Sequence, residues 1–414
     1  MMPQYSTARV YTALTAFAHS MAPASCFSSA KVVHPDTSDY RSLLLGNVPL
    51  LDVRAPVEYL KGSFPSTTNL PILTDSEREA VGTCYKTEGS DAAVALGAQL
   101  VSGPTKASRV KAWTEYARAH PHGYLYCFRG GMRSHTAQRW LAEESGVRYP
   151  LVTGGAKAMR TFLLEELAVS TDASRTDFVS VRGATGTGKT RVLDALGPGR
   201  SLDLEGIARH RGSTFGRLPT SPEFPSQPSQ IDFENEISIL LARLLEAAGG
   251  EGPVRVYVED ESRRIGRLTI PQELFSRMST CGTYVTVTGD MEGRLDVLVE
   301  DYILDLGRRY VALYGEDVGP GMHRERLLGD LGRIKKRIGG DRHMHLTKIM
   351  NSAFDEYEVT GGDTALHRVW GKTLLEEYYD PMYRHQDEQA GGRELFRGSR
   401  DDVTNWALEG GTGS

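Results

Sequence analysis

The chain has 414 residues, of which 40% are hydrophobic and 24% charged, and its formal net charge is -5. This length predicts two or three domains, and the proportions are those of ordinary globular proteins. No apolar run approaches the roughly 18 residues that a transmembrane helix needs, which argues against a membrane protein, and the acidic balance excludes a surface that is basic all over.

Residues 1–35 contain Arg9, Lys31 and many Ser, Ala and Thr, but no acidic residue. That bias is typical of an organelle transit peptide or of a disordered extension, so an organelle matrix and the cytoplasm both stay open as locations. The four cysteines are far apart and form no C-x-x-C pair, and the histidines show no metal-ligand spacing. We therefore predict neither a zinc site nor a disulfide framework.

From residue 47 onwards, predicted strands alternate with predicted helices. The strands lie at residues 48–53, 123–126 and 149–152, and the helices at 92–101, 110–119 and 134–143. Such alternation predicts a parallel sheet with helices on its faces. Residues 170–177 are polar and without apolar periodicity, which predicts a linker. The first domain should therefore cover residues 38–170.

A second α/β domain is predicted over residues 176–385, with a helical C-terminal part. Its strands are expected at 178–181, 201–204, 254–258 and 284–288, and its helices at 189–196 and 237–245, the latter ending at Gly249. Four prolines within residues 218–230 predict an extended surface loop. The glycine-rich residues 386–414 predict a disordered tail. The expected fold is thus α/β, with two parallel sheets and flanking helices.

Cys127 follows a predicted buried strand and starts a glycine-rich turn that leads into a helix. The loop amides, the helix N-terminus, Arg129 and Arg133 together predict an anion-binding nest. The same field should favour the Cys127 thiolate, as in reactive cysteines. The alternative is a small buried structural cysteine, for which the Arg-Gly-Gly-Met-Arg run would have no use. We predict that Cys127 is a nucleophile.

Residues 124–134, with Leu51-Asp52-Val53-Arg54 and Glu58 upstream and residues 152–155 downstream, resemble the rhodanese-like sulfurtransferases. The resemblance implies a rhodanese-like parallel sheet. The loop is one residue longer than the common rhodanese loop, because five residues separate Cys127 from Arg133, as in C-x5-R phosphatases. Two activities stay open: a dual-specificity or arsenate-type phosphatase, and a transferase that uses selenophosphate or thiophosphate. Asp52 and Arg54 are expected to form a structural ion pair.

A phosphate-binding loop is predicted where a Val-rich strand meets the following helix. The pattern G-x4-G-K-[ST] is formed by Gly183, Gly186, Gly188, Lys189 and Thr190. Glycines let backbone amides wrap phosphate oxygens, Lys189 supplies a positive charge, and the Thr190 hydroxyl can hold Mg²⁺. This context predicts a P-loop NTPase-like sheet.

Acidic residues follow two strands of the same predicted sheet. Glu259 comes after the strand at 254–258 and is the predicted acidic partner of the metal ion or its water. A solvated strand end is the alternative for this position. Asp203 and Glu205 follow another strand at the same edge, and they could contact substrate instead.

The order of the two motifs resembles the tRNA 2-selenouridine synthases. Other stretches that carry the resemblance are residues 80–86, 89–93, 203–216, 233–235, 259–263 and 375–383. The resemblance spans roughly residues 47–385, without a counterpart for either end of the chain. It implies that a thiolated wobble uridine of tRNA is first geranylated at sulfur with geranyl diphosphate, and that selenium from selenophosphate then replaces the geranylthio group.

The resemblance also implies roles for both loops. Cys127 would form a Cys–Se intermediate, Arg129 and Arg133 would hold the leaving phosphate, and residues 183–190 would stabilise the departing diphosphate, so ATP need not be the ligand. For tRNA, residues 323–342 carry seven Lys or Arg against three acids, and Arg209 to Arg211 form a second basic patch. A solvated helix face is the alternative reading of the longer run.

Two other functions remain open on the residues alone. One is a thiol phosphatase or a sulfurtransferase fused to a small-molecule kinase, because both use the same two anion sites. The other is a phosphate-sensing module without catalysis, which the intact Cys127 and Lys189 disfavour. The sequence leaves undetermined the oligomeric state, the prenyl pocket and the role of Cys84.

Overall fold

The N-terminal half is built on a three-stranded parallel sheet in the order β2-β1-β3. The structure is a computed structural model that describes residues 35–211, 215–216, 218–219, 226–250, 252–389 and 391–411. The strands are β1 (Leu50–Asp52), β2 (Thr67–Asn69) and β3 (Tyr124–Tyr126). The strand predicted at 149–152 is reduced to isolated bridges of Leu151 and Val152. Pro150, which has no N–H to donate, interrupts the ladder there.

Helices cover both faces of this sheet, as the alternating pattern predicts. They are α1 (Tyr40–Leu45), α2 (Pro56–Lys61), α3 (Asp75–Glu88), α4 (Ser90–Leu100), α5 (Gly103–Ala119), α6 (Met132–Ser145) and α7 (Gly155–Ser170). Leu50 packs with Met159 in one core, while its neighbour Leu51 packs with Trp113 in another. Successive side chains of a strand point to opposite faces, so β1 is buried on both sides.

The second half contains a five-stranded parallel sheet in the order β10-β9-β4-β6-β5. Its strands, with a short hairpin formed by β7 and β8, are β4 (Thr176–Arg182), β5 (Ser201–Leu202), β6 (Val254–Glu259), β7 (Arg264–Ile265), β8 (Leu268–Thr269), β9 (Thr283–Val287) and β10 (Arg393–Gly398). The helices beside it are α8 (Lys189–Leu196), α9 (Leu204–Ala208), α10 (Gln230–Ala248) and α11 (Gln272–Ser279). The α/β fold with two parallel sheets is confirmed.

A helical layer follows β9 and has its own core around Leu331, Met350 and Trp370. Its α-helices are α12 (Met291–Val299), α13 (Leu306–Tyr314), α14 (Gly319–Ile338), α15 (Gly340–Thr360), α16 (Ala365–Leu374) and α17 (Asp380–Gln389), with π-helical turns at Glu300–Asp305 and Leu375–Tyr379. Among the described residues, no helix combines the length and the apolarity that crossing a membrane requires.

The prediction of a disordered tail is wrong for residues 391–411. β10 pairs with β9 as the edge strand of the second sheet, and α18 (Arg400–Leu408) packs behind it. The ring of Trp406 stacks on Phe396 with centroids 5.3 Å apart and is 8% exposed. Most of the described glycines that suggested disorder lie outside these two elements, and Gly398 is the last residue of β10. Residues 1–34 and 412–414, and with them the transit-peptide prediction, lie outside the described residues.

Two other boundaries also differ from the prediction. The linker is shorter than 170–177, because α7 continues to Ser170 and β4 begins at Thr176, which is fully buried. The strand predicted to reach residue 204 stops at Leu202. Asp203 caps α9 there, its carboxylate accepting a 2.8 Å hydrogen bond from the Gly206 amide, a role for which Asp is well suited. Residues 220–225 of the proline-rich loop are not among those described.

Helix α10 bridges the two sheets. Its Asp232 carboxylate accepts hydrogen bonds from the amide (2.6 Å) and the hydroxyl (3.0 Å) of Ser63 in the N-terminal half. Further along, Arg243 donates to the carbonyls of Leu44 and Leu45 at 2.8 Å, and Ile239 enters the core of the first sheet. The two halves are thus joined by one continuous interface as well as by residues 171–175.

Candidate functional site

The cysteine loop lies between β3 and α6, with Cys127 at its base. Cys127 is only 2% exposed. Its carbonyl and that of Phe128 accept hydrogen bonds of 2.9 Å from the amides of Ala156 and Lys157 at the start of α7. A Cβ on Gly155 would lie 2.2 Å from the Cys127 carbonyl oxygen. Only glycine permits this close approach, which explains the Gly-Gly pair at residues 154–155.

Two side chains from the first turn of α6 interact with the thiol or its surroundings. The Ser134 hydroxyl is fully buried and lies 3.2 Å from Cys127 Sγ, within reach of the Gly131 carbonyl at 2.9 Å. Arg133 forms a two-pronged ion pair with Glu58, at 2.5 and 3.1 Å. This pair holds the pKa of the Glu58 carboxyl below its usual value against the opposing effect of burial. Glu58 therefore fixes the guanidinium beside the loop.

Asp52 and Arg54 form the structural ion pair that the sequence predicts. Arg54 Nη2 lies 2.6 Å from Asp52 and 2.8 Å from the Gly62 carbonyl, and both side chains are buried. Burial opposes the charge on Arg54, but the Asp52 partner raises its pKa above the ordinary value. The pair braces the end of β1 beneath the cysteine loop.

Arg129 is exposed, and its guanidinium lies 5.7 Å from the centroid of the Phe128 ring. It lines a groove of about 570 Å³ along α7, together with Tyr40, Lys157, Thr161 and Phe162. The Tyr40 and Phe162 rings are 6.0 Å apart. The groove thus combines two cations, the Glu165 carboxylate and two aromatic rings, and through Arg129 it includes part of the cysteine loop.

The phosphate loop between β4 and α8 has the backbone that its glycines predict. Gly183, Gly186 and Gly188 have φ of 147°, 85° and 84°. A Cβ on Gly186 would lie 2.8 Å from the Arg294 carbonyl oxygen, and one on Gly183 would lie 2.5 Å from that of Val287. Side chains other than glycine would therefore displace the loop from the neighbouring backbone.

Lys189 and Thr190 begin α8 at the mouth of this loop. Lys189 Nζ donates to the Gly183 carbonyl at 2.9 Å and lies 5.4 Å from the Tyr383 ring centroid. The Thr190 hydroxyl donates to Glu259 Oε1 at 2.7 Å. The structure thus brings the predicted acidic residue to the predicted Mg²⁺ ligand. Tyr383, at the end of the helical layer, was not predicted as a site residue, although it lies in the last stretch that resembles the synthases.

Glu259 belongs to a cluster of three carboxylates with Glu205 and Glu261, whose oxygens lie within 4.8 Å of one another. Burial, and then the charge of Glu205, raise the pKa of Glu259 to about 8. Burial also raises the pKa of Glu261 to about 7. Glu259 Oε2 is buried without a hydrogen-bond partner among the described residues. Hard oxygen donors in this number suit Mg²⁺, so the residues fit a divalent cation.

In the two basic stretches that were predicted to bind RNA, most arginine side chains form ion pairs with acidic residues of the protein. Arg326 and Arg333 both bind Asp330, and Arg324 lies 2.6 Å from Asp355. Arg342 pairs with Glu377 at 2.7 Å, and Arg211 binds Asp305. These ion pairs favour the alternative, a solvated helix face, for most of residues 323–342. Lys335 and Lys336 are exposed on α14.

Residues 176–412 match the family model described as the tRNA 2-selenouridine synthase AAA domain. Three bacterial relatives are named tRNA 2-selenouridine synthase. One from Pseudomonas savastanoi pv. phaseolicola is 48% identical and covers 90% of this chain and 98% of its own. One from Azotobacter vinelandii is 48% identical over 92% of this chain and 98% of its own, and one from Marinobacter nauticus is 46% identical over 90% and 97%. The family match includes β10 and α18, so the tail does have a counterpart.

Proposed function

This chain belongs to the tRNA 2-selenouridine synthase family, and on that premise we propose that it converts 2-thiouridine at the wobble position of tRNA to 2-selenouridine in two steps. Sulfur is first geranylated with geranyl diphosphate, and selenium from selenophosphate then replaces the geranylthio group. The observation that carries the proposal is two distinct anion loops, at Cys127 and at residues 183–190, on halves bridged by α10. One suits selenophosphate and the other a diphosphate.

Geranylation needs a site that stabilises a departing diphosphate. The thiocarbonyl sulfur attacks C1 of the geranyl group, and the C–O bond breaks with its electrons on the diphosphate. The amides of residues 183–190 and the Lys189 ammonium supply positive charge where that negative charge develops. No phosphoryl group moves in this step. Alkylation then makes the sulfur a good leaving group, which the free thiocarbonyl is not.

Tyr383 supports a prenyl diphosphate over a nucleotide as the ligand. Its ring centroid lies 5.4 Å from the Lys189 ammonium, so a diphosphate held by Lys189 would bring its organic group close to this ring. An aromatic face stabilises positive charge, and C1 of an allylic diphosphate gains positive charge as the C–O bond breaks. The ring can therefore stabilise the transition state as well as cover the apolar chain.

A divalent cation completes the diphosphate site in this proposal. Thr190, Glu259, Glu205 and Glu261 would hold Mg²⁺, whose charge would offset that of the carboxylates and the diphosphate oxygens. Lys189 alone cannot balance three carboxylates and a diphosphate. The proposed site adds Glu205 and Glu261 to Thr190 and Glu259, the two metal-site residues that the sequence suggests.

Selenation takes place at the cysteine loop. Selenium becomes bonded to C2 and the geranylthio group leaves, so the base ends with a selenocarbonyl in place of its thiocarbonyl. Arg133 and the loop amides hold the phosphate part of selenophosphate. The contact of Arg129 with the same phosphate remains a prediction. The Cys–Se intermediate expected from the resemblance would need a two-electron oxidant, which the described site does not supply.

The groove along α7 is the proposed contact for the tRNA nucleotides next to the target uridine. Arg129 and Lys157 offer positive charge to RNA phosphates, while Tyr40 and Phe162 offer faces on which unpaired bases stack. Anticodon-loop bases are single-stranded, and such bases are read in this way. The groove also begins next to Cys127, where the uridine must arrive.

The decisive experiment follows the mass of the modified nucleoside. Full-length protein is incubated with thiolated tRNA and geranyl diphosphate, and then with selenophosphate. We expect a geranylated nucleoside first and 2-selenouridine second. Cys127→Ala should geranylate normally when selenophosphate is left out, and should form no 2-selenouridine when it is added.

A parallel incubation tests the competing function. If the protein releases phosphate from ATP or from a phosphate ester and leaves the tRNA mass unchanged under both conditions, the chain is a phosphatase or sulfurtransferase joined to a kinase. That result would overturn the proposal.

A further inference from the structure

Exchange of sulfur for selenium at C2 involves no net oxidation. In selenophosphate, selenium has the oxidation level of selenide and phosphorus that of phosphate. If the Cys127 thiolate took the selenium while phosphate departed, the new S–Se bond would require the removal of an electron pair. Neither the proposed reaction nor the described site supplies an oxidant. Selenium should therefore reach C2 without passing through the cysteine sulfur.

The loop around Cys127 is suited to binding a phosphoryl group. The carbonyls of Cys127 and Phe128 are bound from outside by α7, and the described peptide bonds are trans. Because N–H and C=O point in opposite directions in a trans peptide, the amides of Phe128 and Arg129 point to the inner side of the loop. Arg133 is fixed beside them by Glu58. These groups can hold the oxygens of a phosphoryl group at the nucleophile.

Ser134 adds a group that would act on the sulfur itself. Its hydroxyl is buried, and among the described residues it lies within hydrogen-bond distance of Cys127 Sγ and the Gly131 carbonyl. A hydroxyl has one proton to donate, and it can turn from the carbonyl to Sγ when the sulfur becomes a thiolate. It would therefore stabilise Cys127 as a leaving group.

We propose that Cys127 accepts the phosphoryl group of the selenium donor and not the selenium. The inference rests on the proposed selenation and deepens it. Selenium of selenophosphate attacks C2 and geranylthiolate leaves, which gives a uridine with a Se–P bond. Cys127 Sγ then attacks phosphorus, and the Se–P bond breaks with its electrons on selenium, releasing 2-selenouridine after protonation. Water attacks the phosphocysteine, the S–P bond breaks, and phosphate leaves.

This sequence balances without an oxidant. Phosphorus stays at the phosphate level, selenium stays at the selenide level, and one water is consumed. Selenium is bonded to phosphorus or carbon until the product forms, so free selenide is never released. The five-residue spacing of Cys127 and Arg133, which suggested a phosphatase, then serves the transferase reaction.

The test uses single turnovers with tRNA geranylated in advance, so that the diphosphate site plays no part. Selenophosphate carries radioactive phosphorus in one set and radioactive selenium in the other, since the two adducts have nearly the same nominal mass. In Ser134→Ala, hydrolysis of phosphocysteine should slow by about ten-fold or more, a loss typical of one hydrogen bond to a charged group. Phosphorus label should then accumulate on the protein, and selenium label on the tRNA.

Cys127→Ala provides the second arm. We expect no label on that protein and a tRNA that carries both phosphorus and selenium, because the Se–P bond is no longer cleaved at normal rate. Selenium label on Cys127 in the wild-type protein, or Cys127→Ala tRNA that stays geranylated without selenium, would overturn the inference. Failure of the proposed function gives another result, since no selenium would enter tRNA even with the wild-type protein.

Discussion

Glu259 brings a protonation equilibrium into the diphosphate site. The Glu259 side chain is 1% exposed and accepts a hydrogen bond from the Thr190 hydroxyl. A second carboxyl group, that of Glu205, lies nearby. Burial makes the neutral acid the favoured form up to a pH near its pKa of about 8. Proton release and metal binding at this residue are therefore coupled, because only the carboxylate is a strong ligand for Mg²⁺.

The coupling predicts how stability depends on pH in metal-free buffer. The pKa of Glu259 is higher in the folded protein than its ordinary value, so its contribution to folding is fully present below about pH 4.5 and is lost as pH rises through about 8. We expect Glu259→Gln to flatten the decline of the free energy of unfolding over this range, measured by urea denaturation.

Asp260→Asn is the matched control, since Asp260 is the exposed neighbour on the same strand end and pairs with Arg182. It should keep the wild-type slope. Mg²⁺ should restore wild-type stability at high pH but leave Glu259→Gln nearly unchanged. Equal slopes for wild type and Glu259→Gln would contradict the assignment of this titration to Glu259.

Tyr383 gives a second residue-level prediction. Tyr383→Ala should lower the rate of geranylation by about ten-fold, because a cation–π contact of this kind is worth roughly 1–2 kcal/mol. Tyr383→Phe keeps the aromatic face and should stay close to wild type. Geranyl transfer to thiolated tRNA, with saturating geranyl diphosphate, is the measurement. If the two variants lose activity equally, the hydroxyl matters and the ring does not.

Among the elements, the edge formed by β10 and α18 contradicts the expectation from composition most clearly. Glycine content suggested disorder for residues 386–414, but β10 contributes Leu395 and Phe396 to the core of a sheet whose other strands come from far earlier in the chain. A short strand of this kind, Arg393–Gly398, carries little local signal. The hydrogen bonds that hold β10 come from β9, which lies more than a hundred residues earlier, so the sequence around β10 gives no sign of this partner.

Trp406→Ala tests whether this edge contributes to stability. Removing a large, mostly buried aromatic side chain should lower the free energy of unfolding by roughly 3 kcal/mol, measured by chemical denaturation. Leu408→Ala, two residues further on the same helix and 44% exposed, should change it by less than about 0.5 kcal/mol. A tail that does not pack would give no difference between the two variants.

The phosphate loop and the cysteine loop could both be predicted, because each is a short glycine-rich segment between a strand and a helix. Strand β6 and helix α8 were also recognisable from their apolar runs. The carboxylate cluster could not be assembled in the same way. Glu205 and Glu261 come from different connections and meet only once β5 and β6 are adjacent. Glu58 reaches Arg133 across a comparable separation in sequence.

For the molecule as a whole, the question is which surface the tRNA covers. Two candidates differ in chemistry: the α7 groove has cations beside aromatic rings, whereas most arginines of residues 323–342 are paired with acids. Lys157→Glu should weaken tRNA binding and reduce the salt dependence of log Kd by about one unit of slope. The measurement is a titration of labelled tRNA at several salt concentrations.

A double variant of Lys335 and Lys336 to Glu changes the charge on α14 by twice as much as Lys157→Glu changes that of the groove. It should affect tRNA binding less than Lys157→Glu does. If the double variant removes most of the salt dependence and Lys157→Glu removes none, the groove is not the RNA contact and the helix face is.

The bridge made by α10 has a consequence for how the chain unfolds. Ile239 is buried in the core of the first sheet, while Phe233 and Leu241 of the same helix are buried in that of the second. Melting α10 would thus expose both cores at once, so the two halves should behave as one cooperative unit. Calorimetry should give a single transition, and cutting the chain within residues 171–175 should leave the fragments associated. Two separate transitions would mean that the halves are independent modules.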